Sequence, residues 1–241
     1  MTYCVGLLLN QGMVCLSDTR TNAGLDNIST YKKMFIFGTP GERVIAIMTA
    51  GSLSVTQTTL ARLDEAASDT EATGDTSILL APTMLQVAQI IGRTLSQTSQ
   101  EVASRMSGSK SSASASMIVA GQRKGGDQRM FLIYPEGNFI EATSDTPYLQ
   151  IGEHKYGKPI LDRVVTPETT LQDAKKAVLL SMDSTIRSNL SVGMPLDLTV
   201  IEKDSYRVTQ SRRIEADDEV FAEMSRSWSV ALKDAFQGIE I

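Results

Sequence analysis

A threonine that follows an initiator methionine needs to lose only one neighbour to become a self-contained acyl-transfer group. The chain opens M-T-Y-C-V-G, and methionine is commonly removed ahead of a small residue. Loss of Met1 alone would leave Thr2 with a free α-amine beside its own hydroxyl. An α-amine has a reference pKa of about 8, so a fraction is neutral near physiological pH and can take the hydroxyl proton, directly or through one water. Nucleophile and base then reside in one residue, and Oγ attack on a carbonyl yields an acyl ester. A nearby ammonium disfavours protonation of the amine and stabilises the developing alkoxide, and a carboxylate holds that ammonium in place. Asp18 and Lys33 are the candidates for carboxylate and ammonium. Gly51, just before a helix that starts near Ser52, offers a bare backbone N–H suited to an oxyanion. Taken singly, each residue has a plainer reading: a strand start, a turn aspartate, half of an exposed Lys32-Lys33 pair, a glycine easing a turn.

These residues must be brought together by the elements around them. TYCVGLLL and MVCLSDT are rich in strand formers and flank Asn10-Gln11-Gly12, which reads as a β-hairpin. With a three-residue loop, Leu9 pairs with Met13, Thr2 falls opposite Arg20, and Asp18 projects on the same face as Thr2. A two-residue loop reverses that relation. YKKMFIFG and ERVIAIMTAG are two further strand-like runs around Thr39-Pro40-Gly41, giving four or five strands in the first fifty residues.

The apolar period then becomes helical from Ser52 to Asp69 and again from Pro82 onward. SGSKSSASAS reads as a flexible connector. SMIVAGQRK, RMFLIYP and FIEAT return to strand character, with turns at Gly125-Gly126-Asp127-Gln128 and Glu136-Gly137-Asn138. Helical segments follow at Gly157 to Arg163 and Thr170 to Ser188. LDLTVIEKD and YRVTQSRRI read as a hairpin about Lys203-Asp204-Ser205, and Glu219 to Phe236 as a terminal helix. Strands in blocks and helices in pairs argue for antiparallel sheets covered by helices, an α+β architecture. Two stacked sheets with a helix layer on each outer face account for every segment as one domain over 1–241.

The chain has 241 residues, 41% of them hydrophobic and 21% charged, enough to build a sizeable core without staples. A net charge of −5 gives no basic stripe for nucleic acid or for an anionic membrane surface. Cys4 and Cys15 lack the spacing of a zinc site or a disulfide framework, so no metal or cofactor is expected. The run Tyr3 to Leu9 is too short to span a membrane and lacks the flanks of a signal peptide, which points to a cytoplasmic protein. His154, the one histidine, reads as a surface residue.

In order and nearly in spacing, Thr2, Val5-Gly6, Ser17-Asp18-Thr19-Arg20, Lys32-Lys33-Met34-Phe35 and Thr49-Ala50-Gly51-Ser52 resemble the signature of proteasome β subunits. SDTRTNAGLDNISTYKKMF and SNLSVGMPLDL look most like the bacterial group called Anbu, the ancestral β subunit. The resemblance implies an N-terminal nucleophile (Ntn) hydrolase with a four-layer αββα sandwich, a threonine-peptidase mechanism acting on peptide or protein, and assembly into a ring or spiral of identical subunits. It casts Thr2 as nucleophile, Asp18 as the residue orienting the lysine, Lys33 (rather than Lys32) as the lysine tuning the amine, and Gly51 as the oxyanion-hole glycine.

Two stretches depart from the family pattern. At its Asp-x-x-Ser-Gly-Gly element the sequence reads Ser188-Asn189-Leu190-Ser191-Val192-Gly193, so Ser191 matches the serine and Ser188 replaces the aspartate. For the family's Gly-Ser-Gly turn, Thr143 to Pro147 supplies no assigned serine. The competing readings are a hydrolase of small amides on the same fold, and a non-catalytic assembly subunit. No nucleotide-binding motif is present, so any ATP-dependent unfoldase would be a separate partner.

Overall fold

The computed structural model describes residues 2–22, 28–106 and 112–240. The opening hairpin pairs β1 (Tyr3–Leu9) with β2 (Gly12–Asp18). Its register sets Leu9 against Gly12 and Cys4 against Ser17, so the connection is the two residues Asn10 and Gln11. Of the two loop lengths the sequence leaves open, the structure has the shorter. It also puts Asp18 in phase with Val14 and Leu16 rather than with Thr2, because side chains alternate at every residue of a strand.

Beyond a short hairpin of β3 (Arg20–Asn22) and β4 (Ile28–Thr30), the chain forms β5 (Met34–Thr39) and β6 (Arg43–Gly51). Helices α1 (Leu53–Ser68) and α2 (Met84–Arg105) follow. Then come β7 (Ala115–Arg123), β8 (Arg129–Ile133), β9 (Phe139–Glu141) and β10 (Tyr148–Gly152). The chain closes with α3 (Lys158–Val164), α4 (Leu171–Ser188), β11 (Leu196–Glu202), β12 (Gln210–Ile214) and α5 (Glu219–Gln237). Side chains of Thr83, Thr170 and Asp218 cap α2, α4 and α5 by accepting backbone N–H bonds of the first turn. Of the serine-rich stretch expected as a connector, 107–111 lie outside the described residues and Ala115-Ser116 already belong to β7.

The main strands form two antiparallel sheets, ordered β10-β1-β2-β11-β12 and β5-β6-β7-β8-β9. Alternation along them builds three cores. In β1 and β2, Tyr3, Val5, Leu7, Val14 and Leu16 pack under α3 and α4. In β6, Ile45 and Ile47 pack under α1 and α2. The opposite faces meet between the sheets, where Cys4, Met13 and Cys15 of one contact Met34, Met48 and Met130 of the other. The architecture is the four-layer αββα sandwich expected, with α5 added outside α4.

Two elements were not legible beforehand. β10 pairs with β1 on the side away from β2, so β1 has a neighbour on both sides of its start. The Tyr206 to Thr209 stretch expected as strand is irregular, following a turn at Lys203-Asp204 with Asp204 at φ 62° and Tyr206 at φ 52°, and only Gln210–Ile214 pairs with β11. No helix among the described residues is long and apolar enough to cross a membrane.

Candidate active site

Asp18 is the last residue of β2 and is fully buried. Its Oδ1 accepts a hydrogen bond from the backbone N–H of Tyr3 at 3.1 Å and one from Lys33 Nζ at 2.8 Å. The backbone N–H of Gly193 donates to its Oδ2 at 3.4 Å. Although Asp18 is out of phase with Thr2, its carboxylate therefore grips the peptide group joining Thr2 to Tyr3. Lys33 sits just before β5 in the other sheet and also donates to the Arg20 carbonyl at 2.5 Å. An ammonium taken out of water is tolerated where a carboxylate and further acceptors replace the lost hydration, as they do here. Burial pushes the Asp18 carboxyl above its ordinary range, against the pull of Lys33 and the two N–H donors. Lys32 points outward, with its Nζ 5.7 Å from the centre of the Phe35 ring.

Thr2 itself is almost fully buried. Together with Lys33 it lines a cavity of about 360 Å³, walled by Thr21, Thr49, Ala50, Gly51, Leu53, Thr56, Gly152 and Glu153. Four walls converge there: the start of β1, the end of β6 with the first turns of α1, β3, and the end of β10. Gly51 has φ +109°, and a Cβ on it would overlap the carbonyl of Ser114, the residue that leads into β7. Only glycine suits that backbone and that clearance. Ser52, the N-cap of α1, holds the junction by donating its N–H to Ser114 at 2.9 Å.

Ser188 and Ser191 do not join this arrangement. Ser188 is exposed at the end of α4, and the Ser191 N–H donates to Asn189 Oδ1 at 2.9 Å. Neither lines the cavity, and among the described residues neither side chain bonds Thr2, Asp18 or Lys33. Their segment contributes instead through Gly193, whose N–H reaches Asp18, and through the Leu190 carbonyl, which accepts from Arg20 Nη1 at 3.1 Å. The 143–147 stretch is likewise elsewhere, closed on itself by paired backbone bonds between Thr143 and Thr146.

The turn that meets Thr2 is Gly152-Glu153-His154. The Glu153 N–H donates to the Thr2 carbonyl at 2.7 Å, and Gly152, at φ +81°, packs so closely that a Cβ would overlap the same carbonyl. Sequence reasoning missed this turn, along with the Thr21, Thr49 and Thr56 hydroxyls. A glycine closing a short apolar run was the available signal. His154 is exposed, as expected, with Nδ1 3.2 Å from the Gly152 carbonyl. No cluster of metal-binding side chains occurs among the described residues.

The family model described as "Proteasome subunit" matches residues 2–201 of the chain. The chain belongs to the proteasome subunit family. No curated protein sequence matches it. Among solved structures it is similar to Anbu from Hyphomicrobium sp. strain MC1, with 48% identity over 99% of this chain and 98% of that one, at a TM-score of 0.90. Anbu (ancestral beta-subunit) from Yersinia bercovieri shares 40% identity over 99% and 98% of the two chains, at a TM-score of 0.92. The Anbu complex from Pseudomonas aeruginosa, described as a helical assembly, shares 43% identity over 99% and 97%, at a TM-score of 0.93. The chain is thus a proteasome-type subunit of the Anbu kind, consistent with the Ntn-hydrolase superfamily.

Proposed function

We propose that this subunit, one domain over 1–241, is a threonine-type hydrolase of amide bonds whose nucleophile is Thr2 after loss of Met1. The supporting observation is the buried Lys33–Asp18 ion pair, anchored on the Thr2–Tyr3 peptide and opening on the same cavity as Thr2. The α-amine of Thr2 takes the Oγ proton as Oγ bonds to the substrate carbonyl carbon. The Gly51 N–H receives the oxyanion, and the ammonium of Lys33 keeps the amine unprotonated while stabilising negative charge. Collapse breaks the C–N bond, with the departing amine taking the proton from the α-ammonium. Water, activated by the same amine, then hydrolyses the ester.

Ser188 and Ser191 carry no direct role in this scheme; their segment acts through Gly193 on Asp18. The substrate is a peptide or protein, and the subunits assemble with copies of themselves. Val220, Val230, Leu232 and Phe236 expose large apolar surface along α5, which supports such an assembly.

Intact-mass analysis with an epoxyketone or β-lactone tests the chemistry. A Met-free chain that gains one adduct, lost in Thr2→Ala, is the expected result. Retained Met1, or an adduct that survives in Thr2→Ala, would sink the reading. A mass match without turnover of any amide would leave an assembly subunit with a relic site. Peptide profiling then separates a peptidase from a hydrolase of small amides. For the assembly, Phe236→Asp should sediment as a smaller species than wild type.

A further inference from the structure

Glu153 is the unmatched charge of the Thr2 cavity. Of the side chains lining it, only Lys33 and Glu153 are ionisable at neutral pH; Lys33 is already neutralised by Asp18 at 2.8 Å, and the α-amine that loss of Met1 exposes on Thr2 works in its neutral form as the base. The remaining walls are threonines, small residues and one leucine. Among the described residues the Glu153 carboxylate has neither an ion pair nor a hydrogen bond, while its backbone is fixed on three sides. Its N–H is bound to Thr2, Gly152 is wedged against the Thr2 carbonyl, and the next residue's N–H bonds back to Gly152 at 3.0 Å. His154 turns its ring to the Gly152 carbonyl rather than to this carboxylate. A half-buried carboxylate held on a rigid turn beside the reacting residue, in an otherwise neutral cleft, attracts positive charge.

We propose that Glu153 is a specificity-determining residue that selects substrates bearing a positive charge next to the bond attacked, an ammonium or guanidinium group. That group is a free α-amine or the side chain of lysine or arginine. This inference rests on Thr2 being the nucleophile and names the substrate class it would act on.

Three β-lactone probes on one scaffold test it: an N-acetyl norleucine derivative, its free-amine counterpart, and the N-acetyl lysine derivative. The readout is the second-order rate of the Thr2 adduct by intact mass. In wild type, at least one cationic probe should react about threefold to tenfold faster than the neutral probe, the scale of one partly solvated ion pair. The cationic probe that gains identifies α-amine or side chain as the recognised group. The preference should shrink with added salt, since the pair is open to solvent. In Glu153→Gln the cationic-to-neutral ratio should fall to about one, and in Glu153→Lys below one. Equal rates for all three probes in wild type, or a preference kept in Glu153→Gln, would overturn the role of Glu153 and leave Thr2 as nucleophile untouched. Absence of a Thr2 adduct with every probe would overturn both.

Discussion

Lys33 and Asp18 are joined by a 2.8 Å ion pair that spans the junction of the two sheets, and every other bond either side chain makes is to backbone: Tyr3, Gly193 and Arg20. The pair therefore fixes where β1, β3 and the 188–193 loop meet. Removing only Lys33 leaves a buried carboxylate without its counter-charge. Lys33→Met should cost about 3–5 kcal/mol near pH 8, the usual cost of breaking a buried pair from one side. Adduct formation at Thr2 should fall about 10²-fold or more, because the amine loses the charge that tunes it. Near-wild-type labelling in Lys33→Met would show that the neighbouring Lys32, or no lysine, serves Thr2.

The same pair has a signature in pH. The folded Asp18 pKa lies above its unfolded value, so the folded state holds that proton more tightly. Stability from this group is complete below the ordinary aspartate pKa and is lost as pH rises through the folded value. Lys33→Met removes the charge opposing burial, raising the folded pKa further and extending the window upward. The stability deficit of Lys33→Met against wild type should therefore grow from pH 5 to pH 8 in urea titrations. A deficit independent of pH would mean that Asp18 is not the group left unpaired.

Gly152 and Gly125 separate backbone strain from steric exclusion at the site. Both have positive φ, +81° and +74°, but a Cβ on Gly125 meets nothing within 4 Å while one on Gly152 overlaps the Thr2 carbonyl. Gly125→Ala should cost about 1–2 kcal/mol, the left-handed penalty alone. Gly152→Ala should cost more by about 1–3 kcal/mol, the range for overpacking, and should slow Thr2 labelling by displacing the residue that leads into β1. Equal losses in thermal or urea unfolding would remove the Gly152 turn from the account of how Thr2 is held.

How much of this was readable from sequence depends on whether a residue's partner was local. Asp18, Lys33 and Gly51 were found because each lies at the end of a strong strand pattern, so their positions follow from element boundaries. The preference for Lys33 over Lys32 followed the resemblance, and the structure gives it a physical basis: Lys33 is buried on Asp18 while Lys32 is exposed over Phe35. The hairpin register stayed open because Gly12 suits either a two- or a three-residue connection. Asp18 still reached the site because it binds the backbone of Tyr3, which parity does not govern. Gly152-Glu153 was missed for a different reason. β10 has only five residues, and its pairing partner is nearly 150 positions away in sequence (Cys4 pairs with Ile151); no local period announces such a contact. Ser188 and Ser191 were placed by alignment to a motif, and motif spacing does not say which atom of the loop faces the site.

Cys4 and Cys15 should be silent to thiol reagents in the folded protein. Both are buried between the sheets, and Cys4 Sγ donates to the Thr49 carbonyl at 3.7 Å. Burial pushes the Cys15 thiol up to about 12 and the Cys4 thiol higher still, so little thiolate exists to react. Labelling by an aromatic disulfide reagent should proceed only at the rate of unfolding and count both thiols after denaturation. Prompt labelling of either would show that the intersheet core opens without global unfolding. Because neither thiol reacts in the folded protein, an iodoacetamide block should leave Thr2 labelling unchanged even though Cys4 lies two residues away.

The outermost helix hangs on one polar cluster. Ser225 is the one buried residue of α5; its Oγ donates to Asp183 Oδ1 at 2.8 Å and accepts from Arg187 Nη2 at 2.7 Å. Arg187 closes the ring by donating Nε to Asp183 Oδ2 at 3.1 Å. Apart from Phe221 on the α4 core, most of the helix's large apolar residues face outward, so few buried contacts add to this ring. Ser225→Ala should cost about 1 kcal/mol and Asp183→Ala about 2 kcal/mol, since only the latter removes the acceptor shared by both donors. The two losses should be less than additive in the double variant, because one ring is broken by either change. Amide exchange should speed up across Glu219–Gln237 while β1 and β2 keep their protection, the pattern of a local opening. If protection falls equally in the sheets, α5 unfolds only with the whole molecule and the ring is not its anchor.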